Sequence, residues 1–160
     1  MRRRSISLRE GIAEHVLADA AGFAPLETGG VLLGFHDDES GMRIVTELVG
    51  AGPKASRQRH LFTPDGPWQR AQIAEIYNAS GRILAYLGDW HSHPHGNGPS
   101  ALDRSTARKI ATTPAARCPH PVFLIAARVQ GAWGLRAYEF GARRFRKLDS
   151  ETLTARPGRH

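Results

Sequence analysis

Residues 88–103 read G-D-W-H-S-H-P-H-G-N-G-P-S-A-L-D. His91, His93 and His95 fall within five positions, and Ser100 and Asp103 follow as Ser-x-x-Asp. The run before them, R-I-L-A-Y-L at 82–87, is rich in β-formers. The stretch therefore reads as the end of a strand, then a loop carrying glycine and proline, then a helix. Side chains two apart on a strand point to the same side, so His91 and His93 can converge on one ion. Two imidazoles and a carboxylate are typical of catalytic zinc, whose fourth position stays open for water. Closed structural zinc sites use four protein ligands and more cysteine, and Cys118 is the single cysteine of this chain. The same residues also spell a helix start, with Pro99 before it, Ser100 at N-cap and Asp103 at N3 to satisfy free backbone N–H groups and suit the helix dipole. The two readings are compatible, because a helix starting at Ser100 holds Asp103 on a rigid first turn.

His95 could be a third imidazole ligand, but it follows a proline in a flexible loop and reads rather as a solvated loop residue. His15, His36, His60 and His120 have no partner in the sequence and read as ordinary surface or packing histidines. Asp89 is expected either to accept a hydrogen bond from behind a zinc-bound histidine or simply to end the strand, and Trp90 is expected in the core. A hydrolytic site also needs a proton acceptor near the attacking water. Glu27 is the candidate, in P-L-E-T-G-G-V-L-L-G at 25–34, just before a buried apolar strand. Taken alone it is a loop carboxylate, with Gly29 and Gly30 serving only the backbone turn.

Taken together, Glu27, then His91-Ser92-His93-Pro94, then Ser100-Ala101-Leu102-Asp103 resemble the signature of the JAMM (JAB/MPN+) metalloproteases. E-T-G-G-V-L-L-G and G-D-W-H-S-H-P look like the stand-alone prokaryotic JAB branch. The resemblance runs from Leu26 to Asp103 and beyond that rests on element order. It implies an MPN/JAB-like domain with one catalytic zinc held by His91, His93 and Asp103. It also implies that Glu27 is the general base and that Ser100 hydrogen-bonds the oxyanion. The implied substrate is the bond after the C-terminal glycine of a ubiquitin-like protein, in a conjugate or as a tail to be processed. The implied partners are E1- and E2-like proteins of a bacterial antiphage or sulfur-carrier operon. A thin glycine tail can lie beside a strand edge. The basic loop Pro53–Arg59 would flank such a groove or be a mobile surface loop.

The rest of the chain predicts one domain over 1–149 with a flexible tail over 150–160. Apolar residues at Leu8, Ile12, Val16 and Leu17 predict a first helix over 8–21, capped by Ser7 with Glu10 and ended by Gly22. Val31–Phe35 and 42–49 predict a hairpin around D-D-E-S-G. Residues 50–60 read as an exposed, mobile loop, with a short strand at 61–63. Asp65 starts a second helix that runs up to Gly81. Val122–Val129 and Trp133–Phe140 predict a strand pair turned at Gln130-Gly131, followed by a short strand at 143–148. The order predicts an α/β (α+β) domain with a mixed, largely antiparallel sheet flanked by helices, without the strict alternation of a doubly wound fold.

Net charge is +7, from 22 Lys and Arg against 15 Asp and Glu. The excess gathers near the ends, at Arg2–Arg4, at Arg143, Arg144, Arg146 and Lys147, and at Arg156 and Arg159. That placement suits solvated termini, or steering of an acidic protein partner, better than a nucleic-acid stripe. No apolar run follows Arg2–Arg4 or reaches the ~18 residues of a membrane helix, and the expected location is the cytoplasm. Two other functions compete with the peptidase: a non-catalytic MPN scaffold, which usually lacks the ligands kept here, and a basic nucleic-acid-binding protein or nuclease.

Overall fold

The computed structural model describes residues 4–148 and the backbone of 153–156. The elements are β1 (Ser5–Arg9), α1 (Ile12–Phe23), β2 (Gly29–Asp37), β3 (Met42–Val49), β4 (Ser56–Arg57), β5 (Phe62–Thr63) and α2 (Gly66–Ala79). They continue as β6 (Ala85–His93), α3 (Ala101–Thr112), a 3-10 turn (Pro114–Ala116), β7 (Val122–Val129), β8 (Ala132–Gly141), β9 (Arg144–Lys147) and β10 (Leu153–Arg156). Eight strands form one sheet in the order β10-β1-β3-β2-β6-β7-β8-β9, and β4 and β5 form a separate pair. The sheet is mixed. β1 runs parallel to β3 and β10, and β6 runs parallel to β7, while the other neighbours are antiparallel.

Helices cover both faces, so the central strand β2 is buried on both sides from Gly29 to Gly34. This is why V-L-L-G-F reads as a continuous apolar run instead of an alternation. On one face α1 sets Ile12, Val16 and Ala20 against Leu32, Val45, Trp90, Leu124 and Ala126. On the other face α3 sets Ala107 on Phe123, Ile125, Tyr138 and Phe140. There α2 brings Trp68, Ile73 and Ile76 against Val31, Leu33 and Val49. Truncating a core residue such as Leu124 to alanine costs about 2–5 kcal/mol. Arg43 on β3 and Arg4 just before β1 both reach Glu139 on β8, and Arg43 also donates to the His120 carbonyl. Four positions in the sheet separate β3 from β8, so this link spans the concavity of a curved sheet.

Several boundaries differ from the sequence reading. Ile6 and Leu8, two apart and both buried, belong to β1 and not to the first helix. Leu8 fits either period, since it lies four before Ile12. Gly11 at φ 89° breaks the chain between the two elements and stands at N-cap, so the expected Ser7–Glu10 box does not form. Gly22 lies inside α1, which ends at Phe23 ahead of Pro25, where a proline disfavours further helix. Residues 50–60 are not a free loop. Ser56–Arg57 pairs with Phe62–Thr63, and the Asp65 carboxylate accepts from Lys54 N at 3.2 Å. The helix start at Asp65, the 42–49 strand and the turn at Gln130-Gly131 fall where expected. Of the expected tail, Leu153–Arg156 lies beside β1, and the remainder is outside the described residues. Among the described residues, no helix is long and apolar enough to cross a membrane.

Candidate active site

The site is assembled by the pairing of β2 with β6. Gly29 lies opposite His91, and Thr28 and Ser92 continue the antiparallel register. Ser92 N donates to the Thr28 carbonyl at 2.8 Å, and Thr28 N donates to Ser92 Oγ at 2.8 Å. Glu27, one residue further, is thereby set alongside His93. Its own N–H donates to the Gln58 carbonyl at 2.8 Å, which ties it to the β4–β5 hairpin. Arg57 of that hairpin donates from Nε to Thr28 Oγ1 at 3.0 Å and lies 3.9 Å over the Phe23 ring. The basic loop thus buttresses the segment that carries Glu27.

Gly29 and Gly30 are part of β2 and do more than turn the chain. A Cβ on Gly29 would stand 2.5 Å from the Trp90 carbonyl oxygen, 2.7 Å from the Phe62 ring and 2.8 Å from the His91 ring. A Cβ on Gly30 would stand 2.5 Å from the Val49 carbonyl oxygen and 2.6 Å from the Trp90 indole nitrogen. Their bare backbones let the two rings close on the strand. His91 then sits edge-on between Phe62 and Phe123, with ring centroids 5.8 and 5.5 Å away.

Asp103 comes from the first turn of α3. Ser100 Oγ accepts from Asp103 N at 3.0 Å, and Asp103 Oδ2 accepts from Ser100 N at 2.8 Å, the reciprocal box read from the sequence. The same carboxylate meets both histidines. His91 Nδ1 is 3.1 Å from Oδ1, and His93 Nε2 is 3.3 Å from Oδ2. His93 Nδ1 donates to the Gly98 carbonyl at 2.9 Å. That bond makes Nδ1 a donor and turns Nε2 toward Asp103, where Nε2 donates while the ring is protonated and has a lone pair for an ion once that proton is lost.

The electrostatics follow from this crowding. Burial alone would raise the Asp103 carboxyl, but hydrogen bonds from His91 and His93 and the Ser100 N–H hold it well below the usual carboxylate range. Burial pulls the His93 imidazole down; Asp103, Glu27 and the Gly98 carbonyl more than offset it and leave it raised. Glu27 is raised, chiefly by burial. The charges of His93, His91 and His60 work against the rise and that of Asp103 adds to it.

Among the described residues, no three His, Cys, Asp or Glu side chains are spread as a finished metal cage. His91, His93 and Asp103 are instead closed on one another. Their donor chemistry nevertheless suits an ion: two imidazoles, one with its far nitrogen already tied to a carbonyl, and a buried carboxylate kept anionic. The separations of 3.1 and 3.3 Å are near the edge of a tetrahedron with bonds of about 2.0–2.1 Å.

The chain matches the family described as prokaryotic homologs of the JAB domain over residues 7–141. It belongs to that family. Other comparisons agree with this JAB assignment. A probable metalloprotease, y4qB, from Sinorhizobium fredii is 38% identical over 122 residues, 75% of this chain and 74% of the relative. A CD-NTase/cGAS isopeptidase from Enterobacter hormaechei is 25% identical over 122 residues, 76% of this chain and 66% of that one. The solution structure of protein DSY2949 from Desulfitobacterium hafniense shares the fold, with a TM-score of 0.69 at 21% identity over 96% of this chain and 94% of that one. The chain is a JAB-type peptidase, and metalloprotease kinship implies a metal in its site.

The structure brings Glu27, His91, His93, Ser100 and Asp103 to one place on the JAB sheet. Trp90 lies on the opposite face, 2% exposed, as expected of a core residue. His95 stays outside the cluster. Asp89 accepts from the Tyr86 hydroxyl at 2.8 Å, a contact with neither histidine, and burial raises its carboxyl. Sequence reasoning overlooked Ser92, Gly98 and Phe62. Ser92 was foreseeable in part, since a residue between two inward histidines must turn away and find a partner of its own. The Gly98 carbonyl and the Phe62 ring come from chain segments with no motif.

Proposed function

We propose that this JAB-type peptidase is a zinc-dependent isopeptidase that cuts the bond after the C-terminal glycine of a ubiquitin-like protein, in a conjugate or a precursor tail. The observation that carries the reading is Glu27. A carboxylate 64 positions before His91 is set by strand register beside His93, where burial makes it a better proton acceptor than a free surface carboxylate. His91, His93 and Asp103 would hold the ion. A bound zinc supplies Lewis acidity, lowering the pKa of a water and polarising the scissile carbonyl.

The chain's own residues do the remaining work. Glu27 takes a proton as the water oxygen bonds to the carbonyl carbon, and returns it to the amine nitrogen as the C–N bond breaks. Ser100 Oγ already accepts from Asp103 N, and its hydrogen is free to donate to the carbonyl oxygen as negative charge develops there. The Gly98 carbonyl keeps His93 in the tautomer that faces inward. The extended glycine tail would lie along the strands at the site as an added strand.

The name of the Enterobacter relative, CD-NTase/cGAS isopeptidase, supports an isopeptide bond as substrate; E1- and E2-like proteins of an antiphage operon are the partners that the family resemblance implies. The test uses a bacterial ubiquitin-like protein fused through its C-terminal glycine to a reporter. Wild type is expected to release the reporter, and Glu27→Ala and His91→Ala to release none while keeping the wild-type circular dichroism. A Glu27→Ala protein as active as wild type would sink the mechanism. Cleavage of DNA instead of the fusion would sink the substrate assignment.

A further inference from the structure

The sequence gives His60 no partner and makes His95 a solvated loop residue, but the fold brings them together. His60 stands in the turn between β4 and β5, and His95 in the loop after β6. Their ring centroids are 5.6 Å apart and the planes are tilted by 51°. Both side chains are exposed. The pair stands next to the peptidase centre for two separate reasons. His95 is two residues beyond His93, and the hairpin bearing His60 is tied to the backbone of Glu27 through Gln58. The Glu27 carboxylate also feels the charge of His60.

Two imidazoles sharing one tetrahedral ion place their rings roughly 5 Å apart, given bonds of about 2.0–2.1 Å. Imidazole suits zinc, copper and nickel. We infer that His60 and His95 form a second, exchangeable site for a divalent transition-metal ion at the mouth of the JAB centre. Filling this site slows turnover by drawing the Glu27 carboxylate to the ion. The second half rests on the reading of Glu27 as the proton acceptor. Two side-chain donors leave the other positions to water and Glu27, so this ion is held less tightly than one bound by His91, His93 and Asp103. No bond of the substrate is made or broken at this site; its effect is to occupy a proton acceptor.

The test is made on the full chain loaded with one equivalent of zinc. Further zinc is added under equilibrium dialysis with elemental analysis, and reporter release is followed in parallel. Wild type is expected to take up a second, weaker equivalent and to lose activity as it does so. The His60→Ala/His95→Ala double variant is expected to keep the first equivalent and its basal rate. It should lack the second equivalent and need at least ten-fold more zinc for half-inhibition. Uptake of only one equivalent by wild type, or equal uptake and inhibition in the double variant, would overturn the inference. So would a raised KM in the double variant with unchanged zinc uptake, which would make the pair a substrate contact. A second equivalent that leaves the rate untouched would overturn the inhibitory half. Stoichiometry is read without turnover, so an inert one-zinc enzyme would count against the proposed function alone.

Discussion

Asp103 and Glu139 are both carboxylates buried to 5% exposure, and each is gripped by two nitrogen-bearing side chains. Burial alone would raise both, and in both the partners win and hold the carboxyl low. The difference lies in the partners. Asp103 meets His91 and His93, whose imidazoles can lose their protons and offer lone pairs to an ion. Glu139 meets Arg43 and Arg4, whose guanidiniums stay protonated and have no lone pair to give. The same buried anion is therefore suited to the metal-ligand role proposed for it at one place and forms a permanent tie across the curved sheet at the other. Partner identity, and not burial, separates chemistry from architecture here.

The comparison breaks most sharply at Asp103. Asp103→Asn keeps an N3 side chain that can still accept from Ser100 N, but removes the anion. Cleavage is expected to fall to background with a Tm close to wild type, measured by reporter release and thermal denaturation. Breaking the other carboxylate's pair should do the reverse. Arg43→Ala leaves Glu139 buried with only the half-exposed Arg4, and is expected to cost about 3–5 kcal/mol of stability. The rate per folded molecule should be retained, as read by urea denaturation beside kinetics.

Ser100 tests the overlap of the two roles on one residue. Ser100→Ala should lower kcat by about 10²–10³ through the lost oxyanion donor and stability by about 0.5–2 kcal/mol through the lost cap. Ser100→Gly, a tolerated N-cap with no side-chain donor, should restore most of the stability without the same gain in rate; full recovery of rate would assign Ser100 to capping alone. The smallest effect is on pH dependence. Glu139 has a lowered folded pKa, so its contribution is complete above the unfolded carboxylate range and is lost progressively below about pH 5, as pH falls from that range through the lowered folded pKa. Glu139→Gln should flatten that part of the stability–pH curve, and an unchanged slope would show that other carboxylates dominate it.

The two carboxylates also differ in how far the sequence disclosed them. Asp103 sits in a local motif. Strand alternation places His91 with His93, and the cap pattern places Ser100 with Asp103, so four of the five proposed site residues were legible within thirteen positions. Glu27 was legible only by resemblance, because its position beside His93 depends on the pairing of β2 with β6. Glu139 was not legible at all. Its partners are 96 and 135 positions away, and no periodicity reports a contact that the curvature of a sheet creates. The missed strand β1 has a local cause, since Leu8 fits both the period of two and the period of the following helix. The short strand at 61–63 was expected and is β5, but its partner β4 escaped notice because Ser56–Arg57 is polar and is held by backbone bonds, to which hydropathy is blind. His60 and His95 read as unpartnered for the same reason as Glu139: the chain meets itself there only after folding.

The most direct test of the central claim is metal content read beside cleavage. Wild type, reconstituted with zinc and dialysed against metal-free buffer, is expected to retain about one equivalent of zinc, as a single open tetrahedral site requires, and to cleave the ubiquitin-like fusion. His93→Ala, with unchanged circular dichroism, is expected to retain none and to cleave nothing. Less than about half an equivalent in the reconstituted wild type, or undiminished cleavage by His93→Ala, would contradict the account.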